Sequence, residues 1–470
     1  MAGVAMTNLM THHQGSSAKT VETTAVHELR VEVISEETVK PSSPTPDEIR
    51  TTFRISVFDQ FSPAIYVPVL LFYRGGDEKA SDKSRRLRLA LSDVLTQFYP
   101  LAGRIKENFW VDCSDQGVAY KEAKVGCLLD DILEKPEPAA LTKLLPIAVE
   151  SPESGTGLLL LIQASFFECG GVAVGVCISH KIADGASLGT FLRSWAGSAR
   201  GEVASPSFTI SSTFPPREDL KSLPTVELAK DRCVTRRFVF ESSRMAALRA
   251  KASGPAVPLP TRVEAASALI WKCASNASRR SHGDPSRPAI LSHAVNLRRK
   301  PAADLHLSPE NSMGNLVGSF TTRNDDAGAE VACLVADMRA SRREYMESYP
   351  KILQVETPES TAKMVSEAAA QFSSLMNSDG ADFYNCSSWC NFRLYETDFG
   401  RGRPAWVATG GSEFKNSIVL VDSNDKEGVE VWLTLTETDM TELESDQELL
   451  QFALVNPGII TSPRNRPYNV

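Results

Sequence analysis

Two layered domains of the α+β type, each mixing strands with helices, are what the sequence predicts. Three observations carry that expectation. The chain has 470 residues, more than one ordinary hydrophobic core accommodates. Apolar runs with strand character stand beside segments of helical apolar spacing, without the strict strand–helix alternation of a parallel α/β fold. Between 201 and 230, Pro206, Pro215, Pro216 and Pro224 lie among serines and charges, the composition of an exposed connection between domains.

Taken in order, residues 1–30 are rich in Ser, Thr and Ala with no acid before Glu22, and read as a flexible tail, a transit peptide being the alternative. The first domain is expected over 31–205. Within it, 65–73 is apolar and β-branched, a strand. Leu87, Leu91, Val94, Leu95 and Phe98 share one helical face, and Tyr99-Pro100 closes that helix. Two strongly apolar runs, 158–168 and 172–180, flank Cys169-Gly170-Gly171. Adjacent glycines supply the positive φ of a tight turn, so the runs read as an antiparallel hairpin. Leu188, Phe191, Leu192 and Trp195 then line one face of a helix over 186–199. A connection over 206–230 leads to the second domain, 231–470. There the sequence predicts a strand at 234–240, helices at 243–251 and 262–273, a strand at 289–297, two helices within 329–375, and short strands to about 435.

Composition narrows the function. With 42% hydrophobic and 23% charged residues the chain is of the soluble globular type. The net charge of −8, without a long basic run, argues against nucleic acid or an anionic membrane as partner. A polyanionic ligand would have to meet a local basic pocket. The nine cysteines are odd in number and contain no C-x-x-C pair, which fits a reducing, cytoplasmic setting. Cys386 and Cys390 alone have a spacing that suggests a metal, and no histidine or second pair accompanies them, so no metal is expected. No purely apolar run, 158–162 among them, is long enough for a bilayer.

Two strings carry chemistry. His180-Lys181-Ile182-Ala183-Asp184-Gly185 ends a buried strand. Histidine takes and returns a proton near neutrality, and a strand end holds the ring on a rigid element with one edge open. Asp184 can orient the turn directly or through an arginine. The plainer alternative is a buried, hydrogen-bonded histidine followed by an aspartate that caps the next helix. The second string, Asp398-Phe399-Gly400-Arg401-Gly402, is by itself a glycine-rich turn. A protein kinase is excluded, because no glycine-rich phosphate loop, V-A-I-K lysine or H-R-D loop precedes it.

Together, in this order and separation, the strings resemble those of the plant BAHD acyltransferases, whose marks are H-x-x-x-D in mid-chain and D-F-G-W-G near the C-terminus. The stretches 98–104 (FYPLAGR), 165–171 (SFFECGG), 294–298 (AVNLR) and 313–315 (MGN) agree. The resemblance runs from about Val31 to the C-terminus and is strongest to the vinorine synthase-like alkaloid acetyltransferases. It implies two similar-sized, chloramphenicol-acetyltransferase-like domains flanking a solvent channel, with CoA entering from one face and the acceptor from the other. His180 would be the general base and Asp184 a structural residue paired with Arg298. Asp398, Gly400 and Gly402 would support the second motif, and Gly185 and Asn315 would lie along the channel. CoA contacts are expected from Lys251, Ser253, Thr261 and Arg262, which otherwise read as solvated surface. Arg401 stands where the family has tryptophan; it would bind a CoA phosphate, support an oxyanion or face solvent. The resemblance further implies a monomer with no resident cofactor, acyl-CoA (acetyl-CoA foremost) as co-substrate, and a hydroxylated small-molecule acceptor such as an alkaloid or terpenoid.

Two competing readings remain. Gly185-Ala186-Ser187-Leu188-Gly189 matches the G-x-S-x-G of serine hydrolases, but that nucleophile belongs on a turn directly after a strand, and Ser187 falls inside the expected helix. The other is a family member that binds ligand or partner without turnover, motivated by Arg401.

Overall fold

The computed structural model describes residues 29–51, 53–220, 232–299, 310–353 and 380–459. Fifteen strands are named among them in chain order: β1 Val31–Val39, β2 Tyr66–Tyr73, β3 Arg104–Lys106, β4 Trp110–Asp112, β5 Val118–Val125, β6 Leu160–Phe167, β7 Val172–Ser179, β8 Cys233–Phe240, β9 Ala289–Asn296, β10 Val317–Asn324, β11 Asp382–Ser388, β12 Trp406–Ala408, β13 Ser417–Asp422, β14 Val429–Thr436 and β15 Leu454–Val455. They build a six-stranded sheet in the order β1-β5-β6-β7-β2-β12, a seven-stranded sheet in the order β10-β9-β11-β13-β14-β8-β15, and the small pair β3-β4. Both large sheets are mixed. In the first, β5 and β6 run parallel; in the second, β11 runs parallel to β9 and β13.

The first sheet is centred on the expected hairpin. Both β6 and β7 are buried along their whole length, so each side chain, on either face, is removed from water, which suits predominantly apolar runs; the buried Gln163 is satisfied by the Lys143 carbonyl and Ser165 Oγ. Gly170 takes φ 75° at the turn. The helix Ala80–Gln97 buries Leu87, Leu91, Val94 and Leu95 against this sheet, and the helix Gly185–Ser198 buries Leu188, Phe191, Leu192 and Trp195. In the second sheet the helix Arg262–His282 is the central cover, with Leu269, Ile270 and Trp271 fully buried.

Several elements differ from expectation. Strands β1 and β10 lie at sheet edges, β1 mostly exposed and β10 alternating weakly; an edge leaves no continuous apolar run to read. The helix begun at 262 runs on to His282, and two further helices, Glu437–Glu444 and Gln447–Phe452, follow the last predicted strands. In 329–375 one helix is described, Val331–Leu353; the second expected helix lies outside the described residues, as does the tail before Leu29. The connection is less exposed than its prolines suggest. Ile210, on the short helix Thr209–Thr213, Phe214 at its C-terminal end and Leu220 are buried with Val57 in the core of the second sheet.

The two cores also draw on both halves of the chain. Val57 contributes to the second core, whereas Trp389, Phe399 and Trp406 contribute to the first. Strand β12 pairs antiparallel with β2, and its Trp406 stacks on Phe72 at 5.1 Å between centroids.

Candidate active site

His180 follows the last residue of β7, and its backbone N–H donates to the Ile65 carbonyl at 2.9 Å, so the strand pairing carries through to the motif. Ile182 N–H closes the following turn on the Ser179 carbonyl at 3.2 Å. Lys181 turns inward, its Nζ donating to the carbonyls of Gln60 (2.7 Å) and Ser62 (3.0 Å); burial pushes this ammonium down to about 8. His180 itself is partly exposed, while its Nδ1 is buried without a hydrogen-bond partner. Burial lowers the imidazole pKa from the ordinary 6.5, opposed more weakly by its own carbonyl, Asp184, Asn315 and Asp59. The ring is therefore neutral at pH 7, with a lone pair on one nitrogen.

Asp184 does two structural jobs. It caps the helix Gly185–Ser198 by accepting from Ser187 N–H at 2.9 Å. It also meets Arg298 in a forked ion pair, Nη1 to Oδ2 at 2.7 Å and Nη2 to Oδ1 at 3.1 Å, with Leu316 N–H adding 3.0 Å to Oδ2. Both side chains are almost wholly buried. Four hydrogen bonds occupy the carboxylate, and none goes to His180. Burial alone would raise its pKa; Arg298 and the two N–H donors overcome that and hold it below the usual carboxylate range. Ser187 is buried in the first helical turn, its Oγ donating to the Gly314 carbonyl at 2.8 Å and accepting from Arg298 at 3.1 Å. It is not set on the exposed strand-to-helix turn that a hydrolase nucleophile requires.

Asn315, placed along the channel by resemblance, is 2% exposed. Its Nδ2 donates to the His180 carbonyl and to Asp59 Oδ1, both at 2.7 Å, and its N–H donates to the same Oδ1 at 2.8 Å. Asp59, absent from the sequence reading, is thus a foundation of the motif; its other oxygen accepts from Ser56 N–H and Oγ, each at 2.7 Å. The Ser56-x-x-Asp59 capping box was a visible signal for that helix start, but nothing local pointed from Asp59 to Asn315.

The second motif is a folded turn. Asp398 Oδ1 accepts from the N–H groups of Gly400 (2.7 Å), Arg401 (3.0 Å) and Gly402 (2.9 Å), and both glycines take positive φ, 87° and 100°. Phe399 packs edge-on against Trp195 of the helix Gly185–Ser198 at 4.8 Å and against Tyr73 of β2 at 5.8 Å. Tyr73 Oη in turn donates to the Thr397 carbonyl at 2.8 Å. Arg401 projects outward, 66% exposed, 3.5 Å from Glu78.

A cavity of about 690 Å³ opens beside the motif helix, bounded by Ala186 and Thr190 on one side and by Thr261, His293, Asn296 and Phe392 on others. His180 is not on its wall. Of the expected CoA contacts, Thr261 lines it and also caps the helix Arg262–His282, in a capping box with Glu264. The others are engaged elsewhere: Lys251 pairs with Glu448 at 2.9 Å, Ser253 Oγ donates to the Arg249 carbonyl at 2.9 Å, and Arg262 donates to Gly428 O at 2.6 Å and Asp422 at 3.0 Å. Gly185 touches the cavity's Phe392, whose ring would lie 2.7 Å from an added Cβ. Phe392 and His293, neither singled out from sequence, stand on this wall. No group of three metal-ligating side chains and no helix long and apolar enough to cross a membrane occurs among the described residues.

A buried hairpin thus presents a histidine beside a buried Asp–Arg pair, and a cavity runs along the helix that follows. The profile described as the Transferase family matches residues 29–450. BAHD acyltransferase BIA1 of Arabidopsis thaliana is 36% identical over 447 residues, covering 92% of this chain and all of that protein. Limonoid 7-O-acetyltransferase of Citrus sinensis is 36% identical over 462 residues, covering 91% and 98%. The crystal structure of vinorine synthase superposes with a TM-score of 0.76 at 33% identity, covering 90% of this chain and 98% of that one. The chain belongs to the BAHD acyltransferase family and is an acyltransferase.

Proposed function

We propose that the chain transfers an acyl group, acetyl foremost, from acyl-CoA to a hydroxyl of a small specialised metabolite such as an alkaloid or terpenoid, with His180 as general base. The observation that carries this is the neutral, partly exposed imidazole held at the end of β7 while its neighbouring aspartate is occupied by Arg298 and two backbone N–H groups. An alcohol is a poor nucleophile until its proton is taken. The acceptor O–H passes its proton to the free imidazole nitrogen, and its oxygen bonds to the thioester carbonyl carbon. The tetrahedral oxyanion then re-forms the carbonyl, the C–S bond breaks, and the imidazolium returns the proton to the departing thiolate. No covalent enzyme intermediate is needed. O-acetyl transfer to a limonoid, named for one relative at 36% identity, supports both the acyl group and the acceptor class. Two folding units, 31–205 and 231–470, belong to the same proposal; the two sheets with their separate covering helices support it, with β12 crossing from the second segment into the first sheet.

The test is CoA release, followed with a thiol reagent, across acyl-CoA donors and hydroxylated alkaloids and limonoids. Turnover by the wild type and its loss in His180→Ala, with product mass increased by one acyl group, is expected. Equal turnover in His180→Ala would overturn the assignment of the base.

A further inference from the structure

The cavity beside the motif has a wall of particular chemistry. Arg193, Arg342 and Arg393 line it beside two carboxylates, Glu264 and Glu310, so the wall has one more cation than carboxylates, together with Thr261 at the N-terminus of a 21-residue helix. Arg193 also holds the Phe392 carbonyl, and Arg393 pairs with Glu396. Cations and a helix N-terminus suit an anionic ligand, and in the proposed reaction the anionic partner is the acyl-CoA donor rather than the hydroxylated acceptor. The same wall reaches the motif helix through Ala186, two residues beyond Asp184, and Phe392 stands at that meeting point.

The position of Phe392 is imposed from several directions. The residues on either side of it adopt left-handed backbone, Asn391 at φ 69° and Arg393 at φ 59°, a conformation that costs energy outside glycine and persists only where the surroundings dictate it. Asn391 N–H donates to Asp422 at 2.7 Å. The Phe392 carbonyl accepts from Arg193 Nη1, also at 2.7 Å. Against the motif helix, the ring rests over Gly185, where an added Cβ would come within 2.7 Å of Cε2, and the Phe392 carbonyl lies 2.8 Å from where a Cβ of Gly189 would be. The backbone is thus held on both sides, and the half-buried ring is seated over Gly185 on the cavity wall.

We propose that Phe392 sets the length of the acyl chain accepted, its ring closing the donor cavity where that cavity meets the first turn of the helix Gly185–Ser198, which follows the His180 motif. The inference rests on the acyl-CoA reaction proposed above. Each methylene that a rigid apolar wall excludes changes selectivity by roughly 10- to 200-fold.

The experiment measures kcat/KM for acetyl-, butanoyl- and hexanoyl-CoA with one acceptor, in wild type, Phe392→Leu and Phe392→Ala, alongside the melting temperature of each. The expected result is a hexanoyl-to-acetyl ratio that rises by about tenfold or more in Phe392→Ala, with a smaller rise in Phe392→Leu. An unchanged ratio in folded, active variants overturns the inference, as does a change confined to the acceptor KM. Phe392→Leu keeps the test decisive should the alanine variant fail to fold. A wild type that releases no CoA from any donor would instead bring down the acyl-CoA reaction itself, so the two failures are distinguishable.

Discussion

The His180 ring is lowered in pKa by burial, so its neutral form persists below the ordinary histidine value of 6.5. The acid limb of log kcat/KM is therefore expected to have its midpoint below 6.5; a midpoint at or above that value, for a substrate that does not itself titrate, contradicts the assignment. Replacing the ring by alanine is expected to lower kcat by about 10²–10⁴, the usual contribution of a general base. Stability follows the same sign: between the folded value and 6.5 the unfolded chain binds a proton that the native ring refuses, so stability declines as pH falls through 6.5. Asp184 behaves differently. Its folded pKa lies below the ordinary 3.8, so its contribution is fully present above 3.8 and is lost as pH falls through the lower folded value. Arg298→Met leaves that carboxylate buried and unpaired, which costs about 3–5 kcal/mol. Urea denaturation measures it, and a loss below about 1 kcal/mol, the scale of an exposed pair, would deny the buried pair its structural role.

At the scale of single elements, local chemistry decides where helices begin and end. Thr261 caps the helix Arg262–His282 by accepting from Glu264 N–H at 3.2 Å, and Glu264 returns a bond to Thr261 N–H at 2.8 Å. Thr261→Ala is expected to lower stability by about 1 kcal/mol, read as a shift in denaturation midpoint without change of slope. That helix stops at Gly283, which takes φ 65°. A glycine after Arg279, Arg280 and His282 is a C-cap signal that the sequence contained, and weighing it would have carried the predicted helix past 273. The hairpin β6–β7 was legible because both strands are buried on both faces, leaving predominantly apolar runs. The edge strands β1 and β10 were not, since an edge exposed to water imposes little hydrophobic period.

Across the whole molecule, the two sheets are tied by a polar contact that no local pattern announces. Arg237 of β8 pairs with Glu430 of β14 at 2.9 Å, both buried. Its guanidinium lies 5.2 Å from the ring centroid of Trp406, which belongs to the other sheet through β12. Trp406 Nε1 also donates to Glu430 at 3.2 Å. Removing Arg237 as Arg237→Met strands a buried carboxylate and is expected to cost about 3–5 kcal/mol, detected as a lower denaturant midpoint. A midpoint unchanged within error would mean that the tie is dispensable. The loop carrying Phe399 makes a second bridge, reaching from the C-terminal half of the chain to Trp195 and Tyr73 of the first sheet. Motif two thus acts on the motif-one helix through packing, while Arg401, exposed beside Glu78, stands outside that contact.

The mixed strand-and-helix architecture, the histidine at a strand end and the helix that follows Asp184 were determined by the sequence itself, because each is written in contiguous residues: apolar periods, turn glycines, a capping aspartate. The Asp184–Arg298 pair was accessible only through resemblance, and the Asp59–Asn315–His180 link and the seat of Phe392 not at all. These contacts join residues up to 256 positions apart, and a side chain's distant partner depends on how sheets and loops are stacked. The same stacking turned most of the residues expected to meet CoA toward carboxylates and carbonyls of their own chain. Charge and sequence position mark a side chain as able to bind; only the tertiary structure decides whether a nearer partner has already taken it.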